Sequence, residues 1–194
     1  MKPKRRSKEA PVRIRSRAGL TLVEIALLLS IAGIVLAVTV PTFFRTVRTS
    51  KVAEAPAQLH ALYRASAAYY RTVHLLPEGE RARGCLPPAA GPTPERPSPE
   101  PVEVDFVSAR TPGAETWRAL GFAPSVPLRY RYSFLPEIAD CTPEPVAGER
   151  LLVLRAEGDL DGDGEYSTFE RSSVADQTGE LVPTKLLLVK DRTE

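Results

Sequence analysis

The chain of 194 residues is short of the side chains that most active sites use: two histidines, two cysteines, one methionine and one tryptophan. His60 and His74 fall in a helical stretch without the spacing of a zinc site. Cys85 and Cys141 stand too far apart for a CxxC metal or redox motif. No nucleophile–base constellation and no phosphate-cradling glycine loop is present, so the residues predict no enzyme. A basic body is also missing. The first 18 residues hold eight of the 26 basic residues and one of the 24 acidic ones, which leaves 18 basic against 23 acidic. The formal charge of +2 therefore belongs to the tail, and a body of negative balance gives no support for a nucleic-acid surface.

The chain is equally short of charge between Leu20 and Phe44, where the one charged residue is Glu24. About 20 apolar residues span a bilayer as a helix. The eight preceding cations, Lys2 to Arg17, predict a cytoplasmic N-terminus and a C-terminal body on the far side. Three explanations compete. Ser30-Ile31-Ala32 offers a small-x-small signal-peptidase site, but the apolar run continues for another dozen residues beyond it. An uncleaved anchor accounts for neither Gly19 nor Glu24. A carboxylate at membrane depth costs about 2.5–3.5 kcal/mol even on lenient insertion scales, so its position calls for a reason.

The stretch Gly19-Leu20-Thr21-Leu22-Val23-Glu24, after a basic leader and before a long apolar helix, resembles the processing site of type IV prepilins. That pattern is a Gly, a hydrophobic residue, Thr, two aliphatics and Glu. Gly33 and Pro41 also fall where pilins often carry Gly and Pro. The likeness covers the first 45 residues or so. It departs from many members in having Leu20 in place of Phe and a leader longer than the shortest ones. The resemblance implies cleavage between Gly19 and Leu20 by a prepilin peptidase, with the family's N-methylation falling on Leu20. It also implies that Glu24 meets the new α-amino group of a neighbouring subunit, as a register device costly alone and satisfied only on correct stacking. Implied partners are other pilin subunits, the peptidase and a pilus assembly platform in the inner membrane. The body would be periplasmic before assembly and part of a pilus or pseudopilus afterwards.

The rest of the chain predicts an α+β fold. Its parts are a leader (1–19), an apolar transmembrane or filament-core helix (20–44), an amphipathic helix (45–76), a proline-rich loop (77–101) and a β head (102–194). Leu59, Leu62, Ser66, Tyr69 or Tyr70, and Val73 recur at steps of three and four. One long helix from Leu20 to His74 is expected, bent at Pro41 and Pro56, with Pro56 alternatively opening a new helix. Eight prolines between 77 and 101 read as a surface connection, or as a proline-rich ligand for a partner. Alternation predicts strands at Val102–Phe106, Leu128–Phe134, Leu151–Ala156, Tyr166–Val174 and Lys185–Lys190, and a short helical turn at Glu115–Leu120 that buries Trp117. An antiparallel sheet with the long helix on one face also resembles the pilin architecture.

Two local features remain. Outside the cytoplasm Cys85 and Cys141 can pair; the alternative is two free thiols. In Asp159-Leu-Asp-Gly-Asp-Gly-Glu-Tyr-Ser-Thr-Phe-Glu170, residues Asp159, Asp161, Asp163, Glu165 (through its carbonyl), Ser167 and Glu170 match the ligand positions of a twelve-residue calcium loop, with Gly164 at the sharp turn. The flanks read as strands and not helices, so an Asp/Gly hairpin turn competes with a Ca2+ site. A fibre-forming subunit is thus one functional expectation. The other is a membrane-anchored, calcium-responsive binding module that does not polymerise.

Overall fold

A computed structural model describes residues 21–76, 79–137, 141 and 147–191. The chain divides into two compact units, Met1–Phe44 and Arg45–Glu194. Its elements in order are α1 (Leu22–Val52), α2 (Glu54–Arg71), β1 (His74–Leu75), β2 (Arg81–Ala82), β3 (Ala90–Thr93), α3 (Ala114–Leu120), β4 (Tyr130–Pro136), β5 (Arg150–Gly158), β6 (Ser167–Ala175) and β7 (Leu181–Lys190). The fold is α+β, and β3 to β7 form one antiparallel meander in that spatial order.

The expected single helix is two. The interruption falls at Ala53, whose φ of −64° and ψ of −19° stay helical, and not at Pro41, which lies inside α1. Pro56 sits in the first turn of α2, where its missing N–H removes no intrahelical bond. Helix α2 ends at Arg71, before His74, because Thr72 turns extended and gives its N–H to Tyr69 O.

The buried side chains of α2 are Ala55, Leu59, Leu62, Ser66, Ala67 and Tyr70, a stripe at helical spacing. They join one core with Tyr130, Tyr132 and Phe134 of β4, Leu152 and Leu154 of β5, and Phe169 of β6. In the middle strand, β5, Leu151 to Val153 and Leu154 are all buried in succession, as suits a strand covered on both faces. Trp117 is fully buried, meets Phe106 edge-on at 5.3 Å, and donates from Nε1 to Thr93 Oγ1 at 3.1 Å. The indole thereby gains a partner for its one polar atom.

Two expectations fail here. Val102–Phe106 is no strand; it makes one isolated bridge, Val102 to Leu128. The edge of β4 that it would need is taken by β3, which lies inside the region expected to be only loop. Proline is admissible in β3 because an edge strand has one side that forms no ladder. A two-stranded ribbon, β1 with β2, also precedes it.

Gly158 ends β5 directly beneath Tyr130. A Cβ there would lie 2.5 Å from the Tyr130 ring, which is wholly buried and has nowhere to move. Gly158→Ala should therefore destabilise the head by about 1–3 kcal/mol through overpacking. The check is a lower urea midpoint with unchanged slope for the full chain in detergent; an unshifted midpoint contradicts this packing.

Candidate functional site

The apolar stretch Leu22–Phe43 is a helix of 22 residues with none of its window buried. At 1.5 Å per residue it is about 33 Å long, enough for a hydrocarbon core of about 30 Å. It could anchor the protein in a membrane. Leu22, Leu29 and Ile34 are among its exposed large side chains.

Glu24 sits in the first turn of α1. Thr21 donates to Glu24 Oε2 from its backbone N–H at 2.7 Å and its hydroxyl at 2.8 Å, and Glu24 N–H donates to Thr21 Oγ1 at 3.3 Å. This is a reciprocal capping box. The carboxylate is thus already hydrogen-bonded within one chain, which corrects the expectation that it is satisfied only by a neighbour. The Thr-x-x-Glu spacing of Thr21 and Glu24 was the available signal. Gly19 and Leu20, the expected processing pair, lie outside the described residues.

Cys85 and Cys141 form a disulfide across a sequence separation of 56. It ties the segment between β2 and β3 to the connection between β4 and β5. A loop of that size is worth roughly 4 kcal/mol in the chain-entropy account. Such a bond persists in an oxidising compartment.

The acidic stretch is the connection of the β5–β6 hairpin. Gly158 pairs with Ser167, so the loop proper is 159–166. Candidate ligand oxygens of Asp159, Asp161 and Asp163 lie within 4.8 Å of one another, and this cluster could hold a metal ion. Asp159 is half-buried, and both its oxygens accept backbone N–H groups: Oδ1 from Gly162 at 2.7 Å and Oδ2 from Gly164 at 3.2 Å. Gly162 and Gly164 have φ of 83° and 91°, which bends the loop back on itself at little cost. Glu165 is exposed and gives its N–H to Asp163 Oδ1 at 2.7 Å.

The outer half of the twelve-residue pattern is not assembled. Ser167 and Glu170 already belong to β6. The Ser167 hydroxyl is buried and donates to Gly158 O at 3.2 Å. Glu170 stands opposite Arg155 on β5 and pairs with its guanidinium at 3.0 Å. Strand pairing therefore pre-empts the closing carboxylate that a helical flank would have brought round. At the base of the loop, Leu160 is buried in the core, and its carbonyl accepts from Lys51 Nζ at 3.5 Å.

Sequence reasoning missed Glu54. Its Oε1 accepts the backbone N–H of Arg129 at 2.9 Å, that of Tyr130 at 3.1 Å and the Tyr132 hydroxyl at 3.1 Å; its Oε2 accepts Arg129 N–H at 3.1 Å. One carboxylate at the start of α2 thus holds the start of β4. Burial first, then the Glu54 carboxylate, push the Tyr132 phenol well above the usual tyrosine range. It stays a proton donor to Glu54 at any physiological pH.

No family model, no curated protein and no solved structure matches this chain.

A phenol whose pKa is raised in the folded state contributes stability that is complete below its unfolded value of about 10 and is lost as pH rises above it. Tyr132→Phe should lower stability at pH 7 by about 0.5–1.5 kcal/mol, for one lost hydrogen bond. It should also flatten the alkaline decline of the urea midpoint without abolishing it, because burial raises Tyr63, Tyr70 and Tyr130 as well. An alkaline branch identical to that of the unaltered protein would contradict a Tyr132 phenol raised by burial and by Glu54.

Proposed function

We propose that this chain is a type IV pilin-like structural subunit, cut by a prepilin peptidase between Gly19 and Leu20 and assembled through its apolar helix into a pilus or pseudopilus fibre. The observation that carries the reading is Glu24: one carboxylate in the first turn of α1, the sole charge in its exposed apolar stretch Leu22–Phe43, five residues after a glycine that follows a basic leader. Any helix start can use the Thr21–Glu24 cap, but glutamine would serve it without a charge; a subunit whose cleaved neighbour offers an ammonium has a use for the charge itself. The α+β head, with its helix laid on an antiparallel meander, is compatible with a pilin layout, and its disulfide suits a periplasmic or external location. The subunit would pass through the inner membrane, N-terminus inside, before the assembly platform moves it into the fibre.

The capping box separates two roles of Glu24. Glutamine can replace glutamate in a capping box, so Glu24→Gln keeps the helix start and removes the charge. Glu24→Gln should be cut normally, giving a mature chain that begins at Leu20 by mass spectrometry, yet yield on the order of tenfold less surface fibre, since a buried charge then lacks its partner. Gly19→Leu should instead accumulate uncut. Wild-type fibre from Glu24→Gln, or a native chain still carrying residues 1–19, would overturn the reading.

The aspartate cluster favours a second reading, a membrane-anchored module whose head responds to calcium without polymerising; it also fits a calcium-stabilised fibre subunit. Ca2+ is a hard cation that takes carboxylate oxygens. With the Ser167 and Glu170 positions committed to β6, the site is left with three aspartates, backbone carbonyls and water, which suits the weak range of extracellular modules, about 10⁻⁴–10⁻³ M. Binding to the folded state alone stabilises by about 2.7 kcal/mol at a hundredfold excess over Kd. Millimolar calcium is about one- to tenfold over such a Kd and stabilises by about 0.4–1.4 kcal/mol, so it should raise the melting temperature of the detergent-solubilised chain by about 1–5 °C relative to chelator, and Asp161→Ala should remove the rise. Equal melting temperatures in calcium and chelator would leave the loop a hairpin turn.

A further inference from the structure

Residues 94–101, the end of the proline-rich stretch, do not merely cross the surface. Ser98 N–H donates to Arg129 O at 3.0 Å, and the Arg129 guanidinium returns a bond from Nε to Pro99 O at 3.3 Å. Arg131 Nη1 donates to Glu95 O at 3.1 Å. Proline has no N–H to offer, so a segment holding Pro94, Pro97, Pro99 and Pro101 is fastened mainly through its carbonyls. Two arginines, one in β4 and one just before it, supply the donors.

Arg131 has two further partners, and they stand at the two ends of the acidic loop. Its Nε donates to Glu157 Oε2 at 2.9 Å, two residues before Asp159. Its guanidinium carbon lies 4.8 Å from the centre of the Tyr166 ring, a cation over an aromatic face at the last residue of the loop. The Arg131 side chain is 19% exposed and that of Glu157 18%, so losing either partner leaves a charge largely shut off from water. The same segment meets the loop again at Gly162, where an added Cβ would stand 3.7 Å from Pro99 Cγ. One guanidinium thus ties segment 94–101 to both ends of the loop, and one proline ring rests against the loop's bend.

The loop's own hydrogen bonds are short-range. Gly162 and Gly164 give their N–H groups to Asp159, and Glu165 gives its N–H to Asp163. Stretches held by few and exposed bonds open at a lower cost than the sheet behind them.

We propose that residues 94–101 form a strap latched by Arg131, and that strap and acidic loop open and close as one unit. Arg131 keeps Glu95 O, Glu157 and Tyr166 together only while both segments are seated, so unseating either one loosens the other; a coupling of this kind is reciprocal. The coupling stands without a bound ion. Where the loop takes calcium, the strap is the surface that follows it, and this consequence alone rests on the second reading above.

Amide hydrogen exchange of the full chain in detergent, with chelator present, tests the latch. The reporters are Ser98 N–H on the strap and Gly162 and Gly164 N–H in the loop. Ala175 N–H, bonded to Glu149 O at the far end of β6, reports loosening of the whole head. Tyr166→Ala changes the loop side of the latch and leaves the Arg131–Glu157 pair; it should speed exchange at Ser98 about fivefold or more. Arg131→Lys keeps a cation beside Glu157 but has one nitrogen for three partners, and it should speed all three reporters together. Ser98 unmoved by Tyr166→Ala, an Arg131→Lys effect confined to one of the two segments, or Ala175 accelerated as much as the reporters would each overturn the latch. Failure of the calcium reading shows separately, as equal melting temperatures in calcium and chelator.

Discussion

Helix α2 has one apolar stripe, and the meander has an apolar face that packs against it; the burial of each by the other organises the described residues beyond Arg45. Leu59 and Leu62 are removed from water altogether, as are Tyr132, Phe134, Leu152 and Leu154 beneath them. At about 25 cal/mol per Å² of apolar area, such contacts dominate the stability of the head, and they are non-directional. Direction comes from the Glu54 carboxylate. It fixes where along the helix the sheet begins, by accepting two consecutive β4 amides at 2.9 and 3.1 Å. Apolar packing holds the layers together, and one polar clamp sets their alignment.

The acidic loop depends on that alignment. Tyr130, whose amide Glu54 holds, is paired with Gly158, and Gly158 leads into Asp159. The loop's Leu160 reaches back to Lys51 through its carbonyl. The aspartates are therefore carried on a connection whose two ends and one interior residue are anchored in the core, even though Asp161 and Asp163 face solvent.

Strands β4, β5, β6 and β7 were legible within a few residues because alternation has a period of two and needs only local sequence. Segment 102–106 shows the limit. Alternation announces a strand but names no partner, and the β4 edge went to Ala90–Thr93, which its proline had disguised. Glu54 was invisible for a similar reason: its bonds cross 75 to 78 positions. The Asp159–Asp163 spacing could be read directly, since its geometry lies within five residues. The fate of Glu170 could not, because Arg155, its partner, arrives through strand pairing. Glu24 lay between these cases. Its membrane cost was plain from composition, while the cap from Thr21 required the three-residue spacing to be weighed as hydrogen bonding as well as a motif.

The Cys85–Cys141 bridge encloses β3, α3 and β4, while α2 and β5 to β7 lie outside the ring. β4 is simultaneously stitched to β5 over seven residue pairs. A single proteolytic nick anywhere between the two cysteines thus opens a ring without dividing the molecule. The pieces remain covalently joined through sulfur and laced together by the sheet. The connections inside that ring are thus places where the chain can be cut and still remain one body.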